Sequence, residues 1–456
     1  MSASAPERYP PQVKYIVGNE ACERFSFYGT SSILTVYMLQ HLLYEAQDAK
    51  AYYHYFVMAT YLTPLVGGWI ADRFLGRYRT ILWISLFYVL GHGVLAAWET
   101  RTGFFVGLAL IAAGAGGIKP CVSAFVGDQF RPEQHGLLQR VYGWFYWSIN
   151  LGSASAKLLI PLLLLTVGPS LAFALPGVLM AIALVVFWLG RKHYAFAPPS
   201  GPNPHGLFRV VGYALSRLGT GKPGQHWLDV ARERHPQEAV DGARAVFRIM
   251  GVYAAVTLFW ALYDQKGSSW VLQAKDMDLH LGTFTLSPAQ LQALNPFMVM
   301  ALIPLFNWVI FPALERRGIA RTPLSRMTGG MFLTVLSFAA AAVVQTLIDA
   351  GHAPHALWQL PQYLLLTTGE VLVSVTGLEF SYTQAPRSMR STIMSLWFLT
   401  IALGNLLTAL VTELVPLTGA AYFWAFAALM LAAAFAFQAI ARRYRPVALP
   451  QATAAE

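Results

Sequence analysis

Apolar windows of about 20 residues recur from one end of this chain to the other. Each is long enough to cross a bilayer as a helix. Twelve can be read, at 13–42, 52–72, 79–98, 103–126, 137–162, 170–190, 246–266, 289–314, 327–349, 355–382, 390–414 and 419–441. In hydrocarbon every backbone polar group needs an internal partner, so only helices or a closed barrel can span. A barrel would show short alternating segments, which these are not. The expected fold class is therefore an all-α membrane protein with 12 transmembrane helices. Only 12% of the 456 residues are charged, about half the share of a soluble domain. A soluble enzyme and a disordered chain are both excluded. The net charge of +10 does not imply nucleic acid, because its placement follows membrane topology. Cys22 and Cys121 both lie in apolar windows. They read as packing residues, with no disulfide framework or metal site to build from them. The first window carries Glu20, Glu23 and Arg24 and so is no signal segment.

The stretch 191–245 divides the spans six and six. It holds Pro198, Pro199, Pro202, Pro204 and Pro223, and no apolar window. The expected organisation is an N-terminal six-helix bundle over 1–190, a cytoplasmic linker over 191–245 and a C-terminal six-helix bundle over 246–456. An amphipathic stretch is expected near 225–245. With both termini on one side, 25 Lys and Arg fall on that side and 4 on the other (Lys50, Arg101, Lys266 and Lys275). Basic loops stay in the cytoplasm, so both termini are expected there, in a multi-pass protein of the cell (inner) membrane.

The loop between spans 2 and 3 reads Gly67-Gly68-Trp69-Ile70-Ala71-Asp72-Arg73-Phe74-Leu75-Gly76-Arg77. Its glycines allow close helix contact, and its Asp and Arg can pair at the helix ends. This loop resembles the signature of the major facilitator superfamily. The resemblance implies that superfamily's fold of two six-helix bundles.

A charge within a span costs about 2.5–3.5 kcal/mol or more unless paired or hydrated. This chain keeps eight: Glu20, Glu23, Arg24, Lys119, Lys157, Asp264, Glu370 and Glu379. Spread over spans 1, 4, 5, 7 and 10, they point to a shared hydrated cavity. Positions 20, 23, 24, 27, 28 and 31 share one helical face. Two carboxylates beside one guanidinium suit a switch that responds to protons.

The pattern ExxERFxxYG at 20–29 resembles helix 1 of the proton-dependent oligopeptide transporters (POT/PTR). Span 4 adds Gly116-Gly117-Ile118-Lys119-Pro120-Cys121-Val122-Ser123-Ala124-Phe125-Val126-Gly127-Asp128-Gln129-Phe130. Span 5 adds Phe145-Tyr146-Trp147-Ser148-Ile149-Asn150-Leu151-Gly152-Ser153. Phe259-Trp260-Ala261-Leu262-Tyr263-Asp264-Gln265, Asn295-Pro296, Glu370, Ser374, Gly377-Leu378-Glu379-Phe380 and Met394-Ser395-Leu396-Trp397 follow in the family's order. The resemblance implies proton-coupled symport of di- and tripeptides. It assigns Glu20, Glu23, Arg24, Lys119 and Asp264 to proton coupling and gating, with His54 in some members. Lys119 and Asp264 are the pair expected to join the two halves. It assigns Glu370 to the peptide's amino terminus, helped by Asn295, and Tyr28, Tyr61, Asn150, Ser374 and Trp397 to the peptide-binding cavity. Ser31 stands where many members have arginine, and Phe27 where they often have tyrosine. Lys157 is unusual for the motif. We expect it to line the cavity beside Lys119 and take part of the missing positive charge. The linker leaves no room for the two extra helices of many bacterial members.

The expected partners are di- and tripeptides, protons and the lipid bilayer, with no nucleic acid. The chain shows no HExxH, GxSxG or Walker loop, so neither an enzyme nor a nucleotide-driven pump is expected. No cofactor is expected. The alternative is a related proton-coupled symporter for another solute, such as nitrate or peptide-like compounds; Glu370 would repel small anions.

Overall fold

The computed structural model describes residues 9–130, 134–199, 201, 203–220, 224–318, 322–384 and 389–444. Arg8, Arg131, Lys222, Arg321, Arg387 and Arg445 of the basic set lie outside the described residues, as do Pro202 and Pro223 of the linker. The first six membrane helices are α1 (Val13–Gln40), α2 (Ala46–Ile70), α3 (Gly76–Ala97), α4 (Arg101–Ile118), α5 (His135–Thr166) and α6 (Pro169–Leu189). The second six are α7 (Gln237–Tyr263), α8 (Leu294–Leu305), α9 (Pro323–Asp349), α10 (Leu360–Glu370), α11 (Arg390–Leu414) and α12 (Gly419–Arg443). Ten helical stretches are long and apolar enough to cross a membrane. One of them, Ala46–Ala97, contains both α2 and α3, and the charged α1 completes the twelve.

Several helices are interrupted. Pro120 follows Lys119 and cannot donate a backbone bond. The helix breaks there and resumes at Val122–Gly127, which leaves Lys119 at the break. Wider π turns extend α2 at Ala71–Leu75, α8 at Phe306–Ile310 and α10 at Val371–Val375. Glu370 sits immediately before the last of these.

Each set of six has its own core. Phe27, Tyr37, Tyr88, Phe104, Phe125 and Phe173 pack within the first. Phe259, Trp260, Trp270, Phe338, Tyr363 and Phe426 pack within the second. Leu62, Val66, Trp83, Leu90, Val178 and Phe435 face outward, where lipid replaces water and apolar exposure costs nothing. A third, small core joins the linker to α7: Val210, Ala214, Leu228 and Ala231 pack on Ala239, Val240 and Ala243. The amphipathic stretch expected near 225–245 is thus largely the start of α7, which begins nine residues before the expected 246. The linker's own helix lies earlier, at Leu207–Ser216.

Close helix contact within the first bundle depends on Gly67. A Cβ there would collide with the carbonyl oxygen of Gly116 on α4, a backbone atom that cannot swing aside. Gly67→Ala is expected to push α2 off α4 and cost about 1–3 kcal/mol of stability. Thermal unfolding of the detergent-solubilised protein reads this; an unchanged midpoint would remove the contact's importance.

The two sets meet at the end of the bundle away from the chain termini, here called the far end. Gln47 donates to Thr412 O (2.6 Å), Thr35 to Gly267 O (2.8 Å) and Gln292 to Ser32 O (3.1 Å). Tyr55 donates to Glu413 (2.8 Å) and Gln290 to Leu158 O (3.0 Å). His54 bonds both Asn405 and Ser268. Gly267 lies against the Tyr53 hydroxyl so closely that any side chain would strike it. Among the described residues, seven side-chain hydrogen bonds join the two sets, and all are at the far end.

Candidate functional site

On α1, successive turns bring Glu20, Glu23 and Arg24 into one buried cluster. Arg24 Nε lies 2.9 Å from Glu20 and 2.6 Å from Glu23. Two carboxylates share one guanidinium in a nearly dry setting. The electrostatic balance of the cluster therefore changes when either carboxylate gains a proton.

Lys119 reaches this cluster from the helix break after α4. Its ammonium lies 3.8 Å from the Phe27 ring centroid and 3.9 Å from that of Tyr61. Two ring faces thus hold one desolvated cation, a contact worth about 2 kcal/mol. Phe27 loses a hydroxyl relative to tyrosine but keeps the ring face that this cation uses. Among the described residues Lys119 Nζ has no hydrogen-bond acceptor, and it forms no ion pair with Asp264. The expected cross-half pair is therefore not made in this conformation. Asp264 instead accepts from Asn405 Nδ2 at 2.7 Å.

Asn405 connects Asp264 to His54. Its nitrogen is used by Asp264, so its oxygen faces His54 Nδ1 at 2.7 Å. Nδ1 therefore carries the proton of that bond. The opposite ring nitrogen, Nε2, lies 2.9 Å from Ser268 Oγ. The ring is fully buried and joins α2 to both α11 and the residues after α7.

In the second bundle Glu370 is held by neutral donors. Tyr263 OH donates to it at 2.5 Å and Asn295 Nδ2 at 2.7 Å. Asn295 also donates to Thr367 Oγ at 3.1 Å. Among the described residues no cation forms an ion pair with Glu370. The carboxylate is oriented yet keeps its charge unmatched at short range.

The remaining expected residues divide. Lys157 is buried, with its ammonium 4.9 Å from the Tyr28 ring centroid. It does not extend to the far-end surface. Ser31 turns its hydroxyl back to Tyr28 O at 3.3 Å and offers no charge. Asn150 donates to Tyr146 O on its own helix at 3.0 Å. Trp397 packs between Tyr253 and Trp260, at ring distances of 5.5 and 6.1 Å, and over Gly377. It is 3% exposed, which places it in the second core more than on an open wall. Ser374 is half-buried in the π turn after Glu370, and Glu379 is exposed.

Lys266 corrects the charge assignment. It was expected in a far-side loop, but it is buried in the short turn Asp264–Gly267 that continues α7. Its ammonium lies 2.9 Å from the Tyr263 ring centroid and 3.3 Å from Tyr263 O. Tyr263 and Asn405 are the other two residues that sequence reasoning missed. Tyr263 lies within a quoted motif, but nothing in its type sets it apart from neighbouring aromatics.

A model of the POT family matches residues 78–425. Solute carrier family 15 member 2 of Rattus norvegicus is 41% identical over 391 residues, covering 81% of this chain and 54% of the relative. Peptide transporter 3 of Caenorhabditis elegans is 40% identical over 388 residues, covering 80% and 55%. The chain thus spans about half the length of the curated relatives it matches. Among solved structures, an auto-inhibited POT family peptide transporter superposes with a TM-score of 0.91 at 42% identity, over 97% of this chain and 99% of that one. The POT family transporter PepTSo gives 0.90 at 42% identity, over 96% and 99%. The twelve helices in two sets of six, the α1 charge cluster and these matches agree: the chain is a multi-pass membrane protein of the POT family of transporters, with the twelve-helix major facilitator fold.

Proposed function

We propose that this chain is a proton-coupled symporter that imports di- and tripeptides by alternating access. The observation that carries the reading is Glu370, an acid fixed by Tyr263 and Asn295 that forms no ion pair among the described residues. A peptide is a zwitterion with its charges a set distance apart. Its ammonium group matches Glu370, and its carboxylate matches the ammonium groups of the opposite bundle. The bundles 1–190 and 246–456 would rock about the cavity between them, joined on the cytoplasmic side by 191–245. The charge placement supports cytoplasmic positions for both termini, in a protein of the cell (inner) membrane.

Protons act on two groups of residues. Protonation of Glu20 or Glu23 leaves Arg24 with one anionic partner instead of two. Lys119, held only by two rings, is then drawn to the remaining acids. At the far end, protonation of His54 alters its bonds to Asn405 and Ser268, which support the closed contact. Dialanine uptake into liposomes under an imposed inward-acid gradient tests the whole reading. Uptake that is indifferent to the gradient, or outcompeted by nitrate, would overturn it.

Lys157 takes part of the charge that Ser31 cannot supply. An ammonium is a flexible point charge without arginine's fork, so varied carboxylate positions are accepted. Lys157→Ala is expected to weaken dipeptides about tenfold while leaving their C-terminal amides nearly unchanged. Competition against labelled dialanine measures both, and equal binding by the two classes would remove Lys157 from this role.

A further inference from the structure

A separate cavity lies outside the bundle interface, between the linker and the start of α7. It measures about 510 Å³ and is lined by His226, Trp227, Asp229, Arg244, Phe247 and Arg248, among others. None of these residues belongs to the site described above. Arg244 and Arg248 are four apart on α7 and so share one face, with Phe247 beside them. Trp227 meets Phe247 at 5.4 Å between ring centroids.

The polar groups leave donors unused. Arg244 Nη2 donates to Asp229 at 2.6 Å, while its buried Nε has no partner. Arg248 enters no ion pair among the described residues. Asp229 is the lining acid, but its carboxylate already faces Arg244 and the Nε of Arg232 at 3.2 Å. His226 Nδ1 accepts from Leu228 N at 3.2 Å. In the neutral ring the proton is therefore on Nε2, a further donor. Guanidinium groups match the geometry of phosphate oxygens.

The cavity's level relative to the membrane is set by α7. The expected apolar span begins at 246, so Arg244 and Arg248 bracket its edge. Tryptophan and arginine are typical of that depth, where headgroups lie. The linker helix also turns Phe208 outward, 88% exposed, which suits an apolar medium beside it.

We propose that this cavity binds a phosphate group, supplied by the headgroup of an anionic phospholipid. The bound headgroup ties the linker and α7 to the membrane surface. This site does not depend on what the central cavity carries.

The test uses the full chain in neutral detergent. It is titrated with dioctanoyl phosphatidylglycerol, dioctanoyl phosphatidylcholine or sodium phosphate, and the thermal unfolding midpoint is read. Phosphatidylglycerol should raise the midpoint saturably and phosphatidylcholine should not. Arg248→Gln should raise the half-saturating concentration about tenfold or more. A comparable rise with sodium phosphate would support the phosphate site but overturn the lipid as its source. Equal rises with both lipids, or unchanged half-saturation in Arg248→Gln, would overturn the proposal. Arg244→Gln is a second variant. If it fails to fold because its bond to Asp229 is lost, Arg248→Gln decides alone.

Discussion

Glu370→Gln is expected to cut the affinity for free-amino dipeptides by about 30-fold or more, as for loss of a desolvated charge pair worth on the order of 2–5 kcal/mol. The glutamine oxygen can still accept from Asn295, and its amide nitrogen can donate to the Tyr263 hydroxyl oxygen, so the helix packing is retained and the loss is one of charge. N-acetylated analogues carry no ammonium group and should change little. Binding of both classes to the purified variant separates the outcomes. An equal loss for both would leave Glu370 only a structural part.

Glu23→Gln and Lys119→Ala are each expected to abolish accumulation against a concentration gradient. The first removes one of two anions around Arg24. The second removes a buried cation that forms no ion pair among the described residues and could pair with Asp264 in another conformation. Exchange of labelled for unlabelled peptide needs no net proton movement, so counterflow can survive in such variants. The informative pair of measurements is gradient-driven uptake and counterflow in the same liposomes. Full gradient-driven uptake by both variants would overturn the coupling assignment.

The twelve spans were legible because run length and apolarity decide a membrane helix almost alone. Their ends were less so. The start of α7 was missed because residues 237–245 carry Glu238, Asp241 and Arg244 and show no apolar window, while Ala239, Val240 and Ala243 bury themselves against the linker and not in lipid. Lys266 was misplaced for a related reason. Asp264–Gly267 looks like the polar end of a span, yet it continues inside the fold. The charged residues of the candidate site could be picked out because charge is rare in a bilayer. Their partners could not. That Lys119 lies between Phe27 and Tyr61, from two helices, is a tertiary fact with no local signal. Asn405 is one amide in a long apolar helix, and only contact with both His54 and Asp264 gives it a role.

The far-end bonds also bear on how often the opposite conformation is populated. Five of the seven are at least partly buried, and a net hydrogen bond is worth about 0.5–1.5 kcal/mol. Opening that end forfeits several kcal/mol unless new bonds form between the bundles elsewhere. A conformer disfavoured by several kcal/mol is rare, and a ligand that binds only to it shows an affinity reduced by its fractional population. Weakening one far-end bond, as in Gln47→Ala, would then tighten apparent binding from the outside without touching a single residue that contacts the solute. Apparent affinity would thus be set partly by how firmly an empty door is held shut.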